Sequence, residues 1–112
     1  MGDHKGGEPG VWVSSGDKWL VVHVGGETDI DRAPMLADAL LTATNQSDGP
    51  REIVVDLAEL SFCDSAGLNA FIQARRTAAE HGKRLTLHSP QSQVVRLLKM
   101  TGAYALFPVT DT

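Results

Sequence analysis

Three times along this chain, a strand-length apolar run is followed, after a polar break, by a segment whose apolar residues recur at helical spacing. Trp19-Leu20-Val21-Val22-His23-Val24 precedes Ala33, Leu36, Leu40 and Ala43. Ile53-Val54-Val55-Asp56-Leu57 precedes Leu68, Phe71, Ile72 and Ala79. Leu85-Thr86-Leu87-His88 precedes Val94, Leu97 and Leu98. A β-branched run this short suits a buried strand, while spacing of three and four suits one face of a helix. Strands separated by helices join side by side through parallel crossovers. The pattern therefore predicts an α/β fold with helices packed on a central sheet.

The ends of these elements are also marked. Val11-Trp12-Val13 and the Trp19 run flank Ser15-Gly16-Asp17-Lys18, a composition suited to a hairpin turn, so one antiparallel pair should lie at the side of the sheet. Pro34 fits the first turn of the first helix, and Asn45 to Pro50 reads as a loop. The second helix should run from about Ser65 to His81 with Gly82 as its left-handed stop; Ser89-Pro90 should begin the third and Gly102 close it. Tyr104 to Val109 is expected as a last strand or a packed tail. The expected order is β-β-α-β-α-β-α-β, with residues 1–10 a flexible tail and 11–112 one domain.

Charge and composition narrow the function. The 112 residues carry a formal net charge of -4, which argues against a nucleic-acid binder because it leaves no basic stripe to neutralise phosphates. One cysteine, Cys63, rules out an internal disulfide and a cysteine-based zinc cluster. No run approaches the roughly 18 apolar residues that span a bilayer, and the glycine-rich start does not read as a signal peptide. A cytoplasmic domain without membrane insertion is expected.

The most informative stretch is Leu60-Ser61-Phe62-Cys63-Asp64-Ser65-Ala66-Gly67-Leu68. It places the Ser65 hydroxyl in the first turn of the long helix, where free backbone N–H groups carry partial positive charge and tolerate a phosphate. Ala66 and Gly67 are small, so a partner surface could approach closely. The plainer alternative is that Asp64 or Ser65 simply caps the helix, a role worth about 1 kcal/mol.

Read in order, three blocks resemble the successive blocks of STAS domains: Glu27-Thr28-Asp29-Ile30-Asp31 with Ala33-Pro34, then Ile53-Val54-Val55-Asp56-Leu57, then Ser61 to Leu68. The nearest subgroup is the stand-alone bacterial anti-sigma factor antagonists, and the resemblance continues through Gly82-Lys83-Arg84-Leu85, Val94 to Leu98 and Thr101-Gly102. It implies a STAS fold: a mixed central sheet, with an N-terminal antiparallel hairpin and parallel βαβ units, packed with helices. It implies that Ser65 matches the serine phosphorylated with ATP by a partner anti-sigma factor kinase. Asp64 matches an acidic residue of the kinase-binding surface, and Asp29 an aspartate in the loop near the phosphorylation site. The unphosphorylated form would bind the anti-sigma factor and free a sigma factor; phosphorylation would break that complex, and a metal-dependent serine phosphatase would restore it. The resemblance implies neither a cofactor nor catalysis by this chain. The sequence departs from the family pattern at Cys63, usually a plain aliphatic residue, at Thr28, usually leucine, and in lacking the last helix of many members.

Other readings fit less well. Within the family, the rival is a STAS subunit that binds the ATPase of a membrane transport complex. A hydrolase would need His23, His81 or His88 as base, and Cys63 stands where a nucleophile elbow has glycine. A receiver domain would need a lysine in its last strand, and Tyr104 to Val109 has none. Glu27, Asp29 and Asp31 lack the EF-hand pattern and suit a solvated loop. A redox role for Cys63 would be helped by the helix N-terminus but opposed by Asp64 and burial, which favours a packing residue. Arg75, Arg76, Lys83 and Arg84 suit a solvated helix face better than a binding patch.

Overall fold

The computed structural model describes residues 10–46 and 48–111. The elements are β1 (Gly10–Ser15), β2 (Trp19–Thr28), α1 (Ala33–Thr44), β3 (Glu52–Asp56), β4 (Leu60–Cys63), α2 (Ser65–Glu80), β5 (Arg84–His88), α3 (Ser92–Met100) and β6 (Val109–Thr110), with a 3₁₀ turn at Ala103–Leu106. The expected tail lies outside the described residues except Gly10, which already pairs with Gly25 in β1.

The sheet runs β1-β2-β3-β5-β6, with β4 paired to β2 off this path. β1 and β2 form the expected antiparallel hairpin, and every other pairing is parallel. Leu20, Val22 and Val24 of β2, Ile53 and Val55 of β3, and Leu85 and Leu87 of β5 point to one face, where they are buried with residues of all three helices. The alternate residues Val21, Val54 and Thr86 stay half-buried and Trp19 is 55% exposed, so the opposite face is largely open. This alternation follows from the period of two along each strand.

Four details depart from the sequence reading. Residues 58–64 hold a strand, β4, which a four-residue run with two exposed members does not announce. Its pairing with Gly26 to Thr28 extends β2 through a segment that reads as polar coil, across an irregularity at Gly26/Glu27. Here a non-local ladder overrides the low strand propensity of two glycines. The buried stripe of α2 is Leu68, Ala70, Phe71, Ala74 and Ala78, while Ile72 is half-buried and Ala79 exposed. Finally, α3 begins at Ser92 rather than Ser89, which sits outside the helix at φ +54°. The expected stops hold: Gly82 and Gly102 have φ of +68° and +79°, conformations glycine adopts without strain.

Candidate functional site

At the junction of β4 and α2, Asp64 is the helix cap. Its Oδ1 accepts from the N–H groups of Ala66 (3.0 Å) and Gly67 (3.1 Å). Two of the amides a helix start leaves open are thereby occupied. The following residue is spared that duty: Ser65 is the first helical residue, exposed, and its hydroxyl makes no hydrogen bond among the described residues. The capping role thus falls to Asp64 and not to Ser65. A phosphate on Ser65 would meet a helix end whose second and third amides are already taken by a carboxylate.

The junction is held against the end of β2. The Asp64 N–H donates to the Thr28 carbonyl (3.2 Å), and Thr28 is buried. Gly67 packs so closely here that a Cβ would lie 2.8 Å from Cys63 Sγ and 2.8 Å from Thr28 Cγ2. Only glycine fits without displacement. Asp29 follows Thr28 directly, so the two sequence blocks meet at one end of the molecule. Its Oδ1 accepts from the N–H groups of Asp31 (3.1 Å) and Arg32 (3.3 Å), and its carbonyl accepts from Ala33 (2.9 Å). Asp29 therefore shapes the turn into α1. Glu27 is exposed on β2 and Asp31 is exposed in the turn.

Gln93 is a residue no sequence spacing pointed to. Its Oε1 accepts from the Cys63 N–H (3.0 Å) and its Nε2 donates to the Cys63 carbonyl (3.1 Å), so a side chain of α3 completes the ladder of β4. Cys63 itself is 1% exposed. Burial, then the Asp64 carboxylate, push its thiol up from 9.0 to about 12. A buried thiol that keeps its proton is a poor nucleophile, which weighs against redox chemistry at this position.

Beside Ser65, α1 and α2 enclose an open groove of about 320 Å³ lined chiefly by Ile30, Ala33, Pro34, Ala37, Ala66 and Ala70. Ile30 is 72% exposed and Met35 50% exposed, apolar surface that a partner could cover. The basic residues read as a solvated helix face are only partly that: Arg75, Arg76 and Arg84 are exposed, but Arg75 and Lys83 are tied to main-chain carbonyls. Arg75 donates to the Leu106 carbonyl (2.6 Å), and Lys83 is buried with its Nζ on the carbonyls of Pro50 (2.8 Å) and Gly49 (3.3 Å).

Comparison with known proteins bears directly on this arrangement. Residues 12–108 match the family described as Mlab, STAS domain. The chain belongs to the STAS domain family. It is 35% identical over 101 residues to the anti-sigma-B factor antagonist of Staphylococcus aureus, covering 90% of this chain and 92% of that relative. Among solved structures, an anti-sigma factor antagonist from Mycobacterium paratuberculosis aligns with TM-score 0.80 at 26% identity, covering 92% of this chain and 86% of the other. The anti-sigma factor antagonist SpoIIAA in its unphosphorylated form aligns at 0.78 and 20% identity, covering 92% and 88%. Its phosphorylated form aligns at 0.73 and 19%, covering 92% and 91%. The STAS fold expected from the sequence is the fold observed. No helix of the described residues is long and apolar enough to cross a membrane.

Proposed function

We propose that this STAS domain is an anti-sigma factor antagonist, a phosphorylatable binding switch of the cytoplasm that needs no cofactor of its own. Unphosphorylated, it docks an anti-sigma factor through the end formed by Asp29, Asp64, Ser65, Ala66 and Gly67, and so releases a sigma factor. The anti-sigma factor is also a serine kinase that binds ATP and phosphorylates Ser65; a serine phosphatase reverses the step. One observation carries this reading: Asp64 caps α2, leaving the adjacent Ser65 hydroxyl exposed and, among the described residues, unbonded beside an apolar groove. The 35% identity to a protein named as an anti-sigma-B factor antagonist supplies the partner class.

The energetics suit a switch. A phosphoserine brings about -1.5 to -2 charges and three acceptor oxygens. On the free protein, where Ser65 faces water, this costs little. In a closed interface the dianion must lose water beside the Asp64 carboxylate. A penalty of roughly 3–4 kcal/mol weakens binding about 10²–10³-fold.

The test is capture of partners by wild-type, Ser65→Ala and Ser65→Glu protein, followed by mass spectrometry. Wild type and Ser65→Ala should retain an anti-sigma kinase that Ser65→Glu loses, with the three melting within a degree or two of one another. Capture of a transporter ATPase by all three would replace this reading with the transport-complex one.

A further inference from the structure

The open face of the sheet carries a second cluster, unrelated to Ser65. Ser14 of β1, His23 of β2 and Asp56 of β3 lie on neighbouring strands, and the register sets His23 directly opposite Asp56. Ser14 Oγ lies 3.2 Å from His23 Nε2, and His23 Nδ1 lies 3.0 Å from Asp56 Oδ2. A carboxylate can only accept, so Nδ1 carries the proton. In the neutral imidazole the lone pair of Nε2 is then turned toward the serine hydroxyl. The imidazole is held from two further directions. Asp56 is anchored because its Oδ1 accepts from the Ala58 N–H (3.1 Å), and the Trp12 ring stacks on His23 at 5.4 Å and 12°. Ser14 is exposed, while the side chains of His23 and Asp56 are 26% and 25% exposed.

We propose that Ser14 is an activated serine nucleophile, with His23 as its general base and Asp56 as the positioning residue, directed at small activated carboxylic esters. Nucleophile, base and orienting carboxylate stand in the relation that acyl transfer requires, each in hydrogen-bond reach of the next. Trp19, Val21, Val54 and Thr86 floor an open groove of about 370 Å³ on the same face, apolar enough to hold an acyl or leaving group. The main-chain donor adjoining Ser14 that the ladder leaves unpaired is the Ser15 N–H. The Gly16 N–H donates to the Trp19 carbonyl (2.9 Å), so ladder alternation turns the Ser14 N–H toward β2 and the Ser15 N–H away from the sheet. A single donor supports slow turnover, since each oxyanion contact contributes about 10²–10³-fold.

In acylation, Ser14 Oγ forms a bond to the carbonyl carbon and passes its proton to His23 Nε2. The carbon–oxygen bond to the leaving alcohol breaks, and that alcohol takes the proton from Nε2. Water then attacks the Ser14 ester, its proton passing through His23 back to Ser14 Oγ, and the carboxylic acid leaves.

The probe is an alkyl fluorophosphonate, which forms a Ser14 Oγ–phosphorus bond as the phosphorus–fluorine bond breaks and hydrogen fluoride is lost. Full-length wild type should be labelled at Ser14 in preference to Ser15 and Ser65, which are also exposed, as read by peptide mapping. The rate should fall about 10²–10⁴-fold in His23→Gln, the range general-base catalysis supplies. Asp56→Asn should also slow labelling, and Asp56→Glu, which keeps a carboxylate for Nδ1, should restore part of the rate, a rescue that a merely structural loss would not produce. Absence of label at Ser14, labelling of Ser14 no faster than of Ser15 and Ser65, or an unchanged rate in folded His23→Gln would each overturn the proposal.

Discussion

Replacing Gly67 with alanine separates local preference from tertiary packing, because the two predict opposite signs. Alanine in a helix is favoured over glycine by about 1 kcal/mol. Yet here the added methyl would sit 2.8 Å from Cys63 Sγ, 2.8 Å from Thr28 Cγ2 and 3.2 Å from the Thr28 carbonyl. Cys63 and Thr28 are both buried, and one of the three atoms is main chain, so the neighbours have little room to yield. Overpacking of this kind costs about 1–3 kcal/mol. With the upper part of that range set against the propensity gain, the net loss is about 1–2 kcal/mol, or about 4–8 °C in Tm for a domain of this size. Thermal melts followed by circular dichroism measure it. Because the methyl pushes the first turn of α2 off the end of β2, affinity for the captured partner should fall as well. Cys63→Ala in the Gly67→Ala background removes one of the two closest contacts and should recover part of the loss. A Tm that rises in Gly67→Ala would refute the reasoning, since it would mean that the junction relaxes freely and propensity alone decides.

Two further outcomes test the same end of the molecule. Asp64→Ala removes the acceptor for the Ala66 and Gly67 amides and should cost about 0.5–2 kcal/mol, seen as a lower denaturation midpoint, with Asp64→Asn retaining most of it. Cys63 should make stability fall with alkaline pH. Its folded pKa is raised to about 12 from 9.0, so the folded state keeps a proton that the unfolded chain releases. That stabilisation is complete below pH 9 and is lost as pH rises toward 12, with a limiting slope of roughly 1.4 kcal/mol per pH unit. Chemical denaturation in that window, compared with Cys63→Ala, isolates the slope; parallel curves for the two proteins would sink the assignment.

The alternation of strand-length runs with helical spacing was enough, read from sequence alone, to specify an α/β sheet with one hairpin. The glycines at 82 and 102 marked where helices stop. Both are local properties: a period of two or 3.6 states which face is buried, and a positive φ selects glycine, whatever the rest of the chain does. Ser65 at the start of α2 was legible for the same reason. What the tertiary structure decided are the meetings between distant residues. β4 is a strand because β2 lies beside it, and Gln93 completes its ladder from 30 residues away. Gly67 is confined because Thr28 and Cys63 converge on it. Asp64, rather than Ser65, carries the cap through its own side-chain geometry, and that leaves the serine hydroxyl without a partner among the described residues. Ser14, His23 and Asp56 show no shared spacing in the sequence, since their alignment depends on the register of three strands. Periodicity determines which way a side chain faces; only the order and register of the strands determine what it faces.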